Sequence, residues 1–468
     1  MKRRTRTTCL AFTFGTLALL AQGQDLAPLS SPPTIEQAAG QPSNLPELTL
    51  EEAVEQAIAN NSSVKIASLD TLRAADDLAA NKTRRFANTQ VTALGAQLVT
   101  KPSFTYPAGS LGVYSATGPI PATNQEVEIP RKPVGIVNVL VAQPLSTQYQ
   151  LHLQLKALAL GVEGTRQDQV KTRLEVVDQV RRAYYAVVEA QSALDSLQAS
   201  LPYYRESHRL AFVNRGKETI LESDLLNADA QLLKIQNDIS DASDAVASAS
   251  ERLNDLIGRD IHTRFRVAAI GDADTDLATH DTPEAMEARA LQNRPDVKKA
   301  KLQVQQANYE ARAKKAEYIP DVSLAFSYYT TANFENIFPS NVGTVGMSVR
   351  WEPWDWGRRH HEYGEKRAQE KQAKVGVSAT ERAALVEVRN ACRQLENTRR
   401  QLALSDASER AARQKLKELQ EKVKREAALS RDLYQAQSDL ASADSQQQQA
   451  LTAFWKARAD LKKAIGEQ

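Results

Sequence analysis

Cysteine, aromatic residues and net charge are all scarce in this chain. Of 468 residues only Cys9 and Cys392 carry thiols. Cys9 lies in a segment read below as a removable leader, so no intrachain disulfide is expected and stability in an oxidising compartment must come from packing. Lys and Arg number 59 against 57 Asp and Glu, a formal charge of +2, which excludes the strongly basic field of a nucleic-acid binder. Gly (19) and Pro (18) are few for this length, whereas Ala, Gln, Leu, Glu, Lys and Arg fill long stretches, the composition of extended helices. Past the N-terminus no stretch approaches the roughly 18 continuous apolar residues of a membrane-spanning helix. No dinucleotide fingerprint, phosphate-binding Gly-Lys-Ser/Thr loop, zinc-protease helix or Ser-His-Asp set is found, so no enzyme activity, cofactor or metal is expected.

The N-terminus reads Met-Lys-Arg-Arg-Thr-Arg, then an apolar run from Cys9 to Ala21 that ends in Ala21-Gln22-Gly23. This is the layout of a secretory signal, assigned to residues 1–23, and the run is too short to span a bilayer. Cys9 opens the run instead of following it, so no lipid anchor is expected. Residues 24–47, rich in Pro, Ser and Gln, read as an extended lead-in. The mature chain is therefore exported without a transmembrane helix. It is either periplasmic or crosses a membrane by strands.

An internal duplication organises the rest. Ala57-Ile58-Ala59-Asn60-Asn61-Ser62-Ser63-Val64 matches Ala290-Leu291-Gln292-Asn293-Arg294-Pro295-Asp296-Val297, 233 positions later. Gln143-Pro144-Leu145 matches Glu352-Pro353-Trp354 at an offset of 209, and Asp224-Leu225-Leu226-Asn227-Ala228 matches Asp432-Leu433-Tyr434-Gln435-Ala436 at 208. The offset changes between paired strands, where the first copy carries a Pro- and Gly-rich insert around Lys101 to Pro133. The unit is helix, strand, strand, helix, helix, present twice: a first repeat over 48–257, a linker over 258–282 and a second repeat over 283–468. Thr49 with Glu52 forms a capping-box pattern where the first repeat begins.

Strands are clearest in the second hairpin, about 321–356. Val322, Leu324, Phe326 and Tyr328 alternate with Ser323, Ala325 and Ser327, and Val345, Met347, Val349 and Trp351 alternate with Gly346, Ser348, Arg350 and Glu352. One face is apolar, and the other places Arg350 and Glu352 toward a lumen. Tyr329, Trp351, Trp354 and Trp356 suit an aromatic girdle where lipid meets water. The first hairpin, about 88–147, leaves open which of its faces is outward. Each hairpin precedes two long helices. Leu225, Ala228, Leu232, Ile235, Ile239, Ala242, Val246, Ala249, Leu253 and Leu256 keep the three-four spacing of a coiled-coil seam, as do Leu174, Val177, Tyr184 and Val188. The second copy has Leu385, Val388, Cys392, Leu395 and Leu402, then Leu451, Phe454, Leu461 and Ile465. A continuous helix from Gln148 to Arg215 would be on the order of 100 Å long, with Pro202 expected to break or kink it.

A sheet in lipid tolerates no free edge, because each unpaired backbone group costs several kcal/mol, and four strands do not close. A chain supplying four must share its barrel with copies of itself. At this point Leu48-Thr49-Leu50-Glu51-Glu52-Ala53, Asn293-Arg294-Pro295-Asp296-Val297, the paired turns at Asp224 and Asp432 and the closing Leu461-Lys462-Lys463-Ala464-Ile465-Gly466 together resemble the TolC-type outer-membrane efflux family over nearly the whole mature chain. The resemblance implies a mainly α fold with a transmembrane β part. It implies a homotrimer with a twelve-stranded barrel in outer-membrane lipid, continued by a periplasmic coiled-coil tunnel that meets an adaptor protein and an inner-membrane pump in an efflux or type I secretion system.

The resemblance places the periplasmic gate and adaptor contact at the helical hairpin tips, about 214–224 and 424–432. The residues are Arg215, Gly216, Leu221 and Asp224, and Arg425, Leu429, Asp432 and Gln435. A ring of Asp432 side chains in a trimer would favour cations, while Gln435 stands where the family has a second acid. Asp224 and Asp432 also suit plain helix N-terminal carboxylates. The competing reading is a soluble periplasmic coiled-coil scaffold without a pore. The exported substrate is not legible.

Overall fold

The computed structural model describes residues 46–217, 219–268, 282–333, 340–425, 427 and 429–467. The leader, residues 24–45 of the lead-in and residues 269–281 of the linker lie outside them. No described helix is long and apolar enough to cross a membrane.

The first repeat enters through β1 (Glu47–Leu48). Thr49 then caps α1 (Leu50–Asn60): Glu52 N donates to Thr49 Oγ1 at 3.3 Å and Thr49 N donates to Glu52 Oε2 at 3.2 Å, the reciprocal box that the Thr-x-x-Glu pattern encodes. Asn61 ends α1 and starts α2 (Ser62–Thr83) by accepting from Ser63 N at 2.8 Å. Two principal strands follow, β2 (Asn88–Gln97) and β7 (Pro133–Pro144). Between them the insert folds on itself as β3 (Ser103–Tyr106) against β6 (Gln125–Glu128), with β4 (Val113–Tyr114) against β5 (Gly118–Pro119). Then come α3 (Thr147–Gly216), α4 (Glu222–Ile257) and β8 (Arg266–Val267), which pairs parallel with β1. The second repeat runs α5 (Pro283–Asn293), α6 (Pro295–Ala316), β9 (Asp321–Ala332), β10 (Asn341–Arg350), α7 (Arg358–Lys424) and α8 (Ser430–Ile465).

Matched lengths make the duplication physical: α1 and α5 have 11 residues, α2 and α6 have 22, and α4 and α8 have 36. Helix α3 spans 70 residues, on the order of 100 Å at 1.5 Å per residue, and α7 spans 67. Of the break or kink expected at Pro202, the break does not occur: α3 runs through it. Proline removes one donor from the ladder, and α3 packs on its tip side against α4 and α8, which holds the remaining turns. The α4 seam is the covered stripe, with Ile235 and Leu253 buried and Leu226 and Leu233 beside it exposed. On α7 Ala384, Val388, Ala391, Thr398 and Leu402 are buried, so Val388 and Leu402 hold the seam as expected, while Leu385, Cys392 and Leu395 lie half-buried at its margin. Cys392 Sγ rests 3.5 Å from Met286 Sδ, and burial pushes its thiol pKa up.

The main core gathers where α1, α3, α4 and the β1–β8 pair meet, around Leu48, Ala53, Val180, Tyr184, Leu253 and Ile257. Tyr184 is 2% exposed, and its hydroxyl stands 3.0 Å from Leu48 O and 3.1 Å from Ala268 O, so it fastens both strand ends to α3. Burial pushes its pKa up to about 12, opposed by the bond to Ala268. The folded value exceeds the ordinary value of about 10, so this contribution to stability is complete below pH 10 and is lost as pH rises from 10 through 12. Tyr184→Phe is expected to cost about 0.5–1.5 kcal/mol at neutral pH and to flatten the alkaline limb of stability, read by denaturant unfolding at several pH values. An unchanged alkaline limb would assign that limb to other groups.

Between α3 and α8, buried Asp178 receives Lys463 Nζ at 2.9 Å and Arg182 Nε at 3.2 Å, and Arg182 also pairs with Asp460. Burying Asp178 is tolerable because two cations compensate its lost hydration.

Candidate functional site

The four long strands form one antiparallel sheet in the order β10-β9-β7-β2, so the two repeats join through β7 and β9. Directly opposed residues share a face. Val345 pairs with Phe326, which pairs with Val141, and Met347 pairs with Leu324. Tyr328 pairs with Val139, which pairs with Val91. This apolar face stands open in a single chain, Val345 at 73% exposure and Met347 at 67%. The opposite face carries Gln90, Thr92, Asn138, Ser327, Thr344 and Ser348. Ser327 Oγ lies 3.4 Å from Asn138 Oδ1, and Thr344 Oγ1 donates to Ser327 O at 3.4 Å. The outward face of the first hairpin, open on sequence alone, is set by this pairing: Val137, Val139 and Val141 side with Phe326.

Arg350 lies on the polar face opposite Asp321, at the end of the sheet nearest the helices. Two assignments change. Tyr329 pairs with Val342 and Asn138 and so belongs to the polar face; its neighbour Tyr328 is the apolar-face tyrosine. Glu352 lies past the end of β10, where Arg358 Nη2 (2.9 Å) and Arg359 Nη2 (3.0 Å) both donate to its Oε2. Two guanidinium groups at the start of α7 draw it away from the barrel wall.

Trp351, Trp354 and Trp356 occupy the β10–α7 corner, all exposed, with Trp354 and Trp356 edge to face at 5.8 Å. Trp356 has φ of 54° and Gly357 has φ of 85°, so two left-handed residues turn the chain from strand to helix there. The other strand–helix junctions also present exposed apolar side chains that the sequence reading missed. These are Phe86 before β2, Tyr318 and Ile319 before β9, and Leu145 and Tyr149 after β7. The available signal was the repeat offset, since Phe86 and Ile319 are 233 positions apart.

At the far end of the long helices the first tip closes by local bonds. Thr219 N and Oγ1 both donate to Asn214 O, at 3.0 and 2.8 Å, and Arg215 Nε reaches across the turn to Glu222 Oε2 at 2.6 Å. Gly216 is the last residue of α3. Leu221 is the N-cap of α4, and its N–H donates to Asp224 Oδ2 at 3.3 Å, so Asp224 is engaged as a capping carboxylate. In the second tip Arg425 caps α7, Ala427 N donates to Lys422 O at 2.8 Å, and Leu429 is the N-cap of α8. Asp432 lies 3.9 Å from Arg431, its one ion-pair neighbour among the described residues. Gln435 Nε2 donates to Asp439 Oδ1 at 2.7 Å, and Lys415 Nζ, bonded to the same carboxylate at 2.8 Å, holds Asp439 below the usual carboxylate range. Leu221 and Leu429, 208 positions apart, are 71% and 66% exposed. Leu429 and Arg431 border a groove of about 670 Å³ against Tyr203, Leu210 and Ile220.

The profile of a family described as outer membrane efflux protein matches residues 137–259 and 288–467. Among solved structures, the outer-membrane channel OprN superposes with a TM-score of 0.70 at 18% identity, over 90% of each chain. The Campylobacter jejuni CmeC outer membrane channel gives 0.72 at 16% identity, over 89% of this chain and 85% of that one. These likenesses show the fold. An uncharacterised protein of Haemophilus influenzae is 23% identical over 198 residues, 41% of this chain and 43% of the relative's length. The family match takes in the long helices of both repeats, and a sheet apolar on one face is continued by helices about 100 Å long. The chain belongs to the outer membrane efflux protein family, proteins of the Gram-negative outer membrane that extend into the periplasm.

Proposed function

We propose that this outer-membrane efflux protein works as a passive homotrimeric conduit, opened at its helical tips by a periplasmic adaptor coupled to an inner-membrane pump. The observation that carries this reading is a shared order of elements in three layers. The sheet runs β10-β9-β7-β2, the helices nearest it run α7-α6-α3-α2, and those nearest the tips run α7-α8-α3-α4. One edge is thus β10 with α7, and the other is β2 with α2 and α4. Head-to-tail contact joins these unlike edges, and repetition about one axis closes a ring. Three copies supply twelve strands, which leaves no free edge in lipid. The helical edges carry the apolar residues such contact needs, Ile66, Leu69 and Leu72 on α2 and Val375, Val386 and Leu404 on α7, all exposed in one chain.

The tips lie far from the sheet, and their exposed Leu221 and Leu429 suit an adaptor's apolar contacts. Asp432, which makes no capping bond like that of Asp224 among the described residues, is the better candidate for a charged ring at the closed end. The purified mature chain should behave as a trimer in detergent and conduct ions in a planar bilayer. Asp432→Ala should raise single-channel conductance several-fold by loosening the closed tip. A monomer, or a trimer that does not conduct, would overturn the conduit; equal conductance in the variant would remove Asp432 from the gate.

A further inference from the structure

We propose that the cleft between α1, α3 and α8 is a binding site for a small aromatic anion, a carboxylate or phosphate ester carried on an apolar ring. The cleft encloses about 460 Å³. Its walls are Leu50 and Val54 of α1, Tyr185 of α3 and Trp455 of α8, and the Trp455 ring lies under the Arg458 guanidinium at 5.0 Å. The indole Nε1 is buried without an acceptor among the described residues, so packing and the Arg458 stack hold the ring in place.

Three half-buried cations, Arg181, Arg458 and Lys462, converge on this space. Among the described residues none has a carboxylate within 4 Å. Their neighbours do: Lys463 pairs with Asp178, Arg182 with Asp460, and Lys456 with Glu189. Burial, then Arg181 and Arg458, lower the pKa of Lys462 against the weaker opposing pull of Glu467, as expected where like charges crowd together. Glu51 and Glu55 line the cleft too, but they stand exposed at its rim. An anion entering the cleft passes these carboxylates before it reaches the more deeply buried cations.

The cluster is no by-product of the repeat. The residues 208 positions before Trp455, Arg458 and Lys462 are Ala247, Ser250 and Asn254, neither aromatic nor cationic, so the same helical framework stands without them. No residue of the edge helices α2, α4 and α7 lines the cleft. The site lies within one protomer, so its test does not depend on the trimer.

The test is calorimetric titration of the full mature protein with 1-naphthyl phosphate, with detergent-only heats subtracted. Saturable binding is expected, at least tenfold weaker in R458Q/K462Q and several-fold tighter in E51Q/E55Q. 1-Naphthol and inorganic phosphate, each carrying half of the recognised chemistry, should bind at least tenfold more weakly. Absence of saturation at millimolar ligand overturns the proposal, as does equal affinity for 1-naphthol. If R458Q/K462Q does not fold, the rim variant decides, and affinity unchanged there overturns it as well. Binding seen only after Asp272, Asp274, Asp276 and Asp281 are replaced by Asn would mean that the chain's own carboxylates satisfy the cations, and would overturn it too.

Discussion

Lysine at position 345 is expected to abolish the membrane-inserted, heat-resistant oligomer, while lysine one residue earlier is expected to leave it intact. Val345 sits near the middle of β10 on the apolar face, opposite Phe326, and is 73% exposed in a single chain. A lysine facing lipid near the bilayer midplane costs about 2–4 kcal/mol. In a ring of three the penalty is paid at every copy, so the assembled barrel loses on the order of 6–12 kcal/mol, comparable with the stability of a whole domain. Thr344 belongs to the opposite face beside Ser327, where an ammonium keeps its water. Val345→Lys and Thr344→Lys add the same charge to the same strand, so their difference isolates the face. Migration on gels with and without heating, and bilayer conductance, read the outcome. Equal behaviour of the two variants would mean that both faces of the sheet are wetted, and the barrel would fail as an account of this hairpin.

What could be read from the sequence depended on whether a signal was local. Alternation along Val322 to Tyr328 and Val345 to Val349 needs only neighbouring residues, and the paired strands place those side chains on one face. The Thr49–Glu52 cap and the α4 seam are equally local. Strand β7 was not legible in this way, because Val137, Val139 and Val141 on one face are matched by Ile136 and Leu140 on the other. Its orientation is decided by β9, a partner almost 200 positions away. Tyr328 and Tyr329 are adjacent and chemically alike, so only register separates them. Glu352 continues the alternation of β10 on paper, and two arginines of the next helix end that pattern. Pro202 does not end α3, because local propensity yields to the packing of α3 against α4 and α8. The cations of the α1–α3–α8 cleft were invisible to periodicity, since Arg181 and Arg458 meet only after folding.

The second large effect concerns the glycines that end α4 and α8. Gly258 and Gly466 have φ of 71° and 86°, and in each case the next residue donates back five positions, Arg259 N to Asn254 O and Glu467 N to Lys462 O, both at 2.9 Å. That conformation alone costs a residue with a Cβ about 1–2 kcal/mol. The surroundings add a second penalty. A Cβ on Gly466 would meet Arg294 N at 3.0 Å and Asn293 C at 3.1 Å, main-chain atoms that cannot turn aside, and one on Gly258 would meet Asn60 Cβ at 2.9 Å. Overpacking of this kind costs about 1–3 kcal/mol more. Gly466→Ala is therefore expected to destabilise the chain by about 2–5 kcal/mol, with Gly258→Ala close behind. Gly161→Ala, inside α3 with no atom within 4 Å of the new methyl, is expected to stabilise by about 0.5–1 kcal/mol. Thermal unfolding followed by helical circular dichroism should show shifts of opposite sign, and a Gly466→Ala midpoint at or above that of the parent chain would remove the close approach from the account of this corner. The effect should reach beyond the helix end. Arg294 Nη1 donates to Ala464 O at 3.1 Å, and in the first copy Asn61 Nδ2 donates to Leu256 O at 2.9 Å, 208 positions before Ala464. In both copies the corner between the two short helices is thus tied to the base of the last long one. A methyl that pushes Arg294 away would break that tie and loosen α8 at its root, the end from which its seam with α7 is aligned all the way to the tip.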